Sequence, residues 1–343
     1  MTKIRIISIF ILTLLFSMMA CFLFYQSELK SPLNLPSSNM VIEINKGDSL
    51  NKVLMKLTQM DVLSSPLVAK IYAREKKLAN QIKTGEFLLK NNVTIPALFE
   101  LITSNQQISY NIQFIEGSTF KQVKRVLSSS PKLIHLLNGK SDAEILKALN
   151  LGASIQHLEG QFYPDTYTFR KNDSDIGILK RAHQRLQGIL MEEWQNKDKS
   201  LPLETSYDAL ILASIIEKET GAAHERSEIS GVFIRRLNKN MRLQTDPTVI
   251  YGLGERYKGN LTRKHLKEKT AYNTYRMKGL PPTPIAMVGR DAIHAAVHPK
   301  VGRSLYFVAK GDGTHQFSET IHAHNKAVRK YQLKRRAGYR STQ

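Results

Sequence analysis

The chain has 343 residues but only one cysteine, Cys21, and this scarcity excludes two classes of architecture. A single thiol cannot close an intramolecular disulfide, and it cannot build a cysteine-based zinc site. Glycine and proline are also scarce, at 19 and 12 residues, which excludes a collagen-like or low-complexity chain. With 42% apolar residues the chain is too hydrophobic for a disordered tail, and its length predicts two folded domains.

Acidic residues are few relative to basic ones. The chain has 29 Asp and Glu against 50 Lys and Arg, so the net charge is 50 − 29 = +21. Such an excess predicts an anionic partner, which could be a nucleic acid, a phospholipid surface or an acidic polymer. Charge alone does not choose among these three.

Long hydrophobic runs are absent except for one near the amino terminus. Residues 6–25 contain no charge, and twenty apolar residues in a helix match a hydrocarbon core of about 30 Å. Because Lys3 and Arg5 precede this run, the positive-inside rule predicts a cytoplasmic tail at 1–5 and a single-pass anchor at 6–26. The chain beyond the anchor is then extracytoplasmic, on the outer face of the inner (plasma) membrane.

Two alternatives to a retained anchor stay open. The run could be a cleaved secretory signal, or Met18 to Cys21 could be a lipoprotein processing site. The apolar residues that follow Cys21 favour the anchor, because both kinds of processing site usually end the hydrophobic region. An extracytoplasmic position disfavours DNA and RNA as partners and favours polymers outside the membrane.

Residues 27–40 are rich in Ser and Pro and predict a linker. The segment 41–104 then predicts a strand, a Gly-Asp-Ser-Leu turn, two helices, a second strand and a further helix. The order of these elements resembles that of a LysM-like module, a small α+β fold that occurs on proteins contacting cell-wall glycan. A small α+β spacer domain is the other interpretation of the same pattern.

The segment from Thr205 to Thr220 predicts a helix that carries two acidic residues on different faces. Thr205 and Asp208 have the spacing of a capping box. At 100° per residue, Glu219 falls inside the arc of large aliphatic residues, whereas Glu217 falls on the opposite side, toward solvent. Burial disfavours an ionised carboxylate, so we expect the pKa of Glu219 to be raised, as a general acid requires.

Taken alone, a glutamate in this position would also fit an ion pair with a basic residue at a fraying helix end. The sequence around it favours catalysis. The segment from Ala213 to Thr220 resembles the catalytic segment of the endolytic murein transglycosylase (YceG-like) family. Further strings agree with that family in order and spacing, at residues 160–167, 232–237, 241–252, 270–275 and 279–282.

The resemblance implies a membrane-anchored enzyme that cleaves peptidoglycan internally, between N-acetylmuramic acid and N-acetylglucosamine, and leaves a 1,6-anhydromuramic end. It implies that the second acid of the segment, Glu219, is catalytic, and that nascent strands beside peptidoglycan synthases are the substrate, so that cleavage could end strand elongation. It implies no cofactor. The expected architecture is α+β, with the anchor, the LysM-like module, a catalytic domain at 105–335 and a basic tail at 336–343.

One acid is enough for this chemistry. A hydrolytic glycosidase usually needs two carboxylates. A lytic transglycosylase instead uses the C6 hydroxyl of its own substrate as the nucleophile, so a single Glu can protonate the departing oxygen and then deprotonate that hydroxyl. Water must be kept away from the reacting carbon.

Several polar residues predict a glycan groove around this acid. For each of them a structural role, as a turn former or a core tyrosine, is an equal alternative, and Asp246 could instead cap the helix that follows it. The candidate substrate-binding residues are Gln244, Asp246, Tyr251, Tyr272, Asn273 and Tyr275.

No metal site is expected. His322 and His324 are the closest pair of histidines, but residues two apart on a helix diverge, and no HExxH motif is present. The remaining alternative to an enzyme is a non-catalytic membrane protein that binds or scaffolds the cell wall through its LysM-like module and basic surface.

Overall fold

The computed structural model describes residues 2–152 and 155–333, and the chain divides into two compact units. Unit 1 runs to Tyr110 and takes in Thr168–Asn172, and unit 2 holds Asn111–Tyr167 and the chain from Asp173 onward. The domain boundary predicted between residues 104 and 105 stays a prediction. The predicted basic tail at 336–343 lies outside the described residues.

The described residues form a mixed α+β structure. The elements of unit 1, with those at its boundary, are α1 (Thr2–Lys30), β1 (Asn39–Ile44), α2 (Leu50–Gln59), α3 (Pro66–Glu75), β2 (Gly85–Lys90), α4 (Ile95–Thr103) and β3 (Ser109–Gln113). Those that follow are α5 (Phe120–Ser128), α6 (Asp142–Leu149), β4 (Thr166–Arg170), α7 (Asp175–Gln195), α8 (Ser206–Glu219), α9 (Arg226–Asn238), α10 (Asp246–Leu253), α11 (Arg263–Lys267), α12 (Arg290–Val297), β5 (Tyr306–Ala309), β6 (His315–Ser318) and α13 (Ile321–Val328).

Helix α1 is long and apolar enough to cross a membrane, and no residue of its most apolar stretch is buried. It continues through Lys30, into the segment predicted as a linker. The segment that follows α1 is held against unit 1, because the Leu33 amide donates a hydrogen bond to the Val93 carbonyl at 2.8 Å. Leu33 and Leu35 pack against the core of unit 1. The predicted linker is therefore ordered over part of its length.

Unit 1 is built around an antiparallel pair of strands, β1 and β2, in which Val41 faces Leu88. Helices α2, α3 and α4 cover the pair, and Phe87 and Phe99 are fully buried between them. The predicted order of strand, helix, helix, strand and helix is confirmed. The apolar spacing of residues 64–79 predicts the second helix, and α3 is shorter than this segment because Pro66 begins it and Lys77 has a positive φ of 56°.

Unit 2 has α8 at its centre. All eight residues from Ala209 to Ile216 are buried, and α7, α9, α10 and α12 pack around them. The predicted capping box is confirmed, since the Thr205 side chain accepts from the Asp208 amide and the Asp208 side chain accepts from the Thr205 amide. A helix buried on all sides holds its last residue, Glu219, in a fixed position.

Parts of unit 2 and its boundary differ from what the sequence pattern predicts. The apolar spacing of residues 179–196 predicts a helix, whereas helix α7 begins earlier, at Asp175, because the Ser174 side chain caps it. The stretch 128–157 predicts a helical and connective segment, and its described part contains one complete helix, α6. The apolar residues of 305–309 and the Gly-Asp-Gly turn after them predict a hairpin, which is confirmed as β5 and β6. Strand β4, which pairs with β3 in a two-stranded sheet, was not predicted.

Candidate active site

Glu219 is the last residue of α8, at the point where the buried helix reaches a cavity of about 880 Å³. The chain leaves the helix at Thr220, whose backbone is extended. The Glu219 carboxyl therefore lies at the edge of the core, with hydrophobic packing behind it and open volume in front. This is the position that the helical periodicity predicts.

The environment of the carboxyl favours its protonated form. Burial raises the pKa of Glu219 to about 7, and the nearby Asp246 acts in the same direction. The Thr245 hydroxyl donates a hydrogen bond to Oε2 at 2.7 Å, which stabilises the ionised form and limits the shift, as does the charge of Arg236. A carboxyl that titrates near neutral pH can both donate and accept a proton.

The cavity in front of Glu219 is polar and bounded by several elements of unit 2. Helix α10 and the loop after it form one part of the wall, and the β5–β6 hairpin with α13 forms another. Its polar lining includes Glu219, Arg236, Gln244, Asp246, Tyr275 and Tyr306.

Arg236 organises the chain around the site. Its guanidinium donates to the carbonyls of Leu305, Arg242 and Leu243, and at 3.3 Å to Oε1 of Gln244. It also lies over the Tyr306 ring, 5.1 Å from the centroid. Most N–H groups of the guanidinium are thus hydrogen-bonded within the protein. Its positive charge lowers the pKa of Glu219.

Asp246 is not the cap of the helix that it begins. The cap residue of α10 is Thr245, and Asp246 is the first helical residue, so the capping interpretation is wrong. The Asp246 carboxylate instead accepts a hydrogen bond from the Tyr275 hydroxyl at 2.6 Å, facing the cavity. Of the predicted substrate-binding residues, the structure brings Gln244, Asp246 and Tyr275 together with Glu219.

The other three candidates lie elsewhere. Asn273 is 1% exposed, and its side-chain amide donates to the carbonyls of His265, Leu266 and Glu268, so it orders the loop on which it lies. Tyr251 and Tyr272 line a different cavity, where their rings meet edge to face at 4.9 Å. These contacts are the structural roles that the sequence analysis left open.

Glu217 is not exposed, and the prediction that it points toward solvent is wrong. Its side chain is 6% exposed, and it accepts a hydrogen bond from the Gly289 amide at 3.0 Å. It also forms an ion pair with Arg226 at 3.4 Å. Burial raises the pKa of Glu217, but its partners attach α8 to the start of α12 rather than to the cavity.

Thr245 and Arg236 act on Glu219 and were not among the predicted site residues. Both lie in segments that carry the family resemblance, at 232–237 and 241–252. The sequence therefore indicated that these segments matter, but it did not indicate that the two side chains act on Glu219. A threonine before Asp-Pro reads as a turn residue, and only its position beside Glu219 shows what its hydroxyl does.

One group in the described ranges has a composition typical of metal ligands. The side chains of Glu193, His294 and His298 place their ligand atoms within 4.8 Å of one another in unit 2, and none of the three lines the cavity of Glu219. Glu193 already accepts hydrogen bonds from Arg290 and His294. His322 and His324, the closest pair of histidines in the sequence, are not part of this group.

The comparisons with known proteins agree on one family. A family model described as the YceG-like family matches residues 42–330. The curated endolytic murein transglycosylase of Bacillus subtilis is 31% identical over 323 residues, which are 90% of this chain and 89% of that protein. The Streptococcus pneumoniae protein of the same name is 23% identical, and the match spans 57% of its length.

A solved structure supports the same relationship. The crystal structure of a YceG-like protein from Listeria monocytogenes is 30% identical to this chain and has a TM-score of 0.52. The match covers 84% of this chain and 98% of the Listeria chain.

Proposed function

Because this chain belongs to the YceG-like family, we propose that it is an endolytic lytic transglycosylase of peptidoglycan, anchored in the membrane by α1, with Glu219 as its catalytic acid and base. It cleaves glycan strands between N-acetylmuramic acid and N-acetylglucosamine and leaves 1,6-anhydromuramic ends. The observation that carries the proposal is the Glu219 carboxyl, with its pKa raised by burial to about 7, at the edge of a polar cavity of about 880 Å³.

In the proposed reaction Glu219 first donates one proton and later accepts another. The protonated carboxyl gives its proton to the glycosidic oxygen as the C1–O bond breaks, and positive charge develops at C1. The C6 hydroxyl of the same muramic acid then forms a bond to C1, and the Glu219 carboxylate takes the proton that it releases. The enzyme returns to its starting state, and no water is consumed.

The contacts of the site support these two roles. The Thr245 hydroxyl donates a hydrogen bond to Oε2 of Glu219, so the other carboxyl oxygen, Oε1, carries the proton that is transferred. Because that hydrogen bond stabilises the carboxylate while burial stabilises the acid, neither protonation state is strongly favoured near pH 7. Gln244, Asp246 and Tyr275 are positioned to contact the sugar from the wall of the cavity.

Unit 1 supports a role in holding the enzyme at the cell wall. Its exposed apolar helix fits a single-pass anchor with the amino terminus in the cytoplasm. Its strand–helix–helix–strand order resembles that of a LysM-like module, and this resemblance supports a contact with glycan. The proposal therefore places the substrate among strands made at the membrane surface, where cleavage would end their elongation beside the synthases.

The Glu219→Gln variant tests the catalytic assignment. The amide keeps the size and the Thr245 contact of the carboxyl but cannot donate a proton to the leaving oxygen. We expect the purified variant to fold and to bind glycan strands, while the release of soluble fragments falls by at least about a hundredfold. A wild-type protein that binds strands and never cleaves them would support a wall-binding scaffold instead.

A further inference from the structure

A second cavity, of about 900 Å³, shares two elements with the cavity of Glu219. Helix α10 contributes Asp246 to the first cavity and Tyr251 to the second. The turn after α11 does the same, with Tyr275 in the first cavity and Tyr272 in the second. The two cavities are therefore neighbours on unit 2, on different sides of α10, because five residues of a helix span about 7.5 Å along its axis and about 140° around it.

One wall of the second cavity is cationic. Helix α5 lines it with Lys121, Lys124 and Arg125, whose spacing places them on one face of the helix. Lys121 is paired with Glu255. The Nζ of Lys124 lies over the Phe120 ring, 5.9 Å from its centroid, and the charge of Arg125 helps to lower the pKa of Glu255, but neither residue forms an ion pair within 4.0 Å of a carboxylate in the part of the chain that the structure describes. Two positive charges are thus available to an anionic ligand.

The acidic groups of this cavity oppose such a ligand only weakly. Glu159 is 9% exposed and accepts hydrogen bonds from the Phe120 amide at 2.9 Å and the Tyr251 hydroxyl at 3.2 Å. Burial raises the pKa of Glu159 to about 7. Near neutral pH the Glu159 side chain is therefore uncharged in a large fraction of the protein molecules. Asp142, the other lining carboxylate, is exposed to solvent, where its field is screened.

Resting on the proposed function, we infer that the second cavity receives the short peptide attached to muramic acid, with Lys124 and Arg125 binding its carboxylates. The N-acetylated sugars of the strand are neutral, so the peptides hold its negative charges. A sugar positioned at Glu219 projects its peptide away from the glycan axis. The neighbouring cavity is the space where a cationic wall meets that peptide.

The test compares two substrates on the full-length protein. Glycan strands with their peptides and strands stripped of peptides by an amidase are digested by the wild type and by the Lys124→Glu/Arg125→Glu variant. We expect the wild type to show at least about a tenfold higher kcat/KM on peptide-bearing strands, mainly through a lower KM. In the variant this preference falls to less than about twofold.

A matched control reverses two charges elsewhere. Lys180 and Lys199 are exposed in the same unit and line neither cavity, so Lys180→Glu/Lys199→Glu changes the net charge equally and should keep the preference. The milder Lys124→Gln/Arg125→Gln variant should lose most of it as well. A wild type without preference, or equal losses in both charge-reversed variants, would overturn the inference and leave the proposed function intact.

A binding measurement decides the inference independently of cleavage. Calorimetry with the wild type and two probes, a muramyl disaccharide carrying its peptide and the same disaccharide without it, should show at least about fivefold tighter binding of the first. The Lys124→Glu/Arg125→Glu variant should bind both equally. If the wild type binds both equally, the inference fails. If it binds the peptide probe more tightly but cleaves no strand, the proposed function fails.

Discussion

At the scale of the residue, Glu219 is subject to opposing influences on its proton. Burial behind α8 and the charge of Asp246 favour the acid, whereas the Thr245 hydroxyl and Arg236 favour the carboxylate. Burial is the largest of these and prevails, which raises the pKa of Glu219 to about 7. At high pH Glu219 must ionise while it is buried, and this lowers the free energy of unfolding of the protein.

That cost predicts a pH-dependent effect of Glu219→Gln on stability. Folded Glu219 keeps its proton to about pH 7, but the unfolded chain loses it near the ordinary value of 4.5. The stabilisation from the bound proton is complete below pH 4.5 and is lost as the pH rises through 7. We therefore expect the Tm of Glu219→Gln to exceed that of the wild type more at pH 8 than at pH 5.

Thermal unfolding followed by circular dichroism at several pH values measures this difference. Glu204→Gln is the matched control, because Glu204 is exposed and close to the start of the same helix. Its effect on Tm should not follow the titration of Glu219. A Glu219→Gln difference that stays constant from pH 5 to pH 8 would contradict the buried, proton-holding carboxyl.

Thr245 is predicted to be a positioning residue. The Thr245→Val variant keeps the shape of the side chain and removes the donor to Oε2, so the carboxylate loses stabilisation and the pKa of Glu219 rises further. We expect kcat to fall about tenfold and its alkaline limb to move to higher pH. Thr245→Ser should restore both. An unshifted pH profile with reduced kcat would indicate a merely structural role.

At the scale of the element, the segment before α7 depends on one glycine. Gly160 has a φ of 72°, and a Cβ on it would lie 2.4 Å from the Cβ of Pro284. We expect Gly160→Ala to lower the free energy of unfolding by about 2–4 kcal/mol, because strain and overlap add. Urea unfolding measures this change.

Gly188→Ala is the control for that substitution. Gly188 lies inside α7, where an added Cβ meets nothing within 4 Å. Alanine should therefore raise the free energy of unfolding by up to about 1 kcal/mol. If Gly160→Ala did not lower the free energy of unfolding any more than Gly188→Ala does, the close contact between residue 160 and Pro284 would be contradicted.

The elements with strong end signals could be predicted from the sequence. Capping residues and helical periodicity predict α8 between Thr205 and Thr220, within a residue of its observed bounds, and the caps Ser49, Thr94 and Thr119 predict the starts of α2, α4 and α5. Helix α7 began too late in the prediction because Gly177 interrupts the apolar pattern of its first turn. Strand β4 lies in a segment dense in aromatics and turn formers, which hid its alternation of buried Tyr167 and Phe169.

The two acids of α8 show where periodicity stops being informative. A helical wheel gives the direction of a side chain around the axis, and for Glu219 that direction was enough. For Glu217 it was not, because α12 and Arg226 cover the face that an isolated helix would expose. The same limit applies to Asn273. Its side-chain amide donates hydrogen bonds to carbonyls of a loop, and the path of that loop could not be predicted from the sequence.

At the scale of the whole molecule, the apolar surface of α1 requires a partner that the described chain does not provide. Its most apolar stretch has a mean hydropathy of 2.6 and none of it is buried. We expect the protein to sediment with membranes, to resist alkaline carbonate extraction and to keep its original amino terminus. A reporter fused after residue 343 should be active only outside the cytoplasm.

Amino-terminal sequencing of the protein from membranes distinguishes the anchor from the two processed forms. An intact amino terminus supports the anchor. A new amino terminus between residues 18 and 26 would identify a cleaved signal, and a lipid-modified Cys21 would identify a lipoprotein. A reporter active in the cytoplasm would reverse the proposed topology and with it the access of Glu219 to the cell wall.

Digestion of peptidoglycan strands in oxygen-18 water tests the lone-acid chemistry of Glu219 most directly. The products of wild-type cleavage should carry anhydro ends, be lighter by one water than hydrolysis products and contain no label, and Glu219→Gln should release none. Products that incorporate one oxygen-18 would contradict the account, because water would then be the nucleophile and a second carboxylate would be needed to activate it.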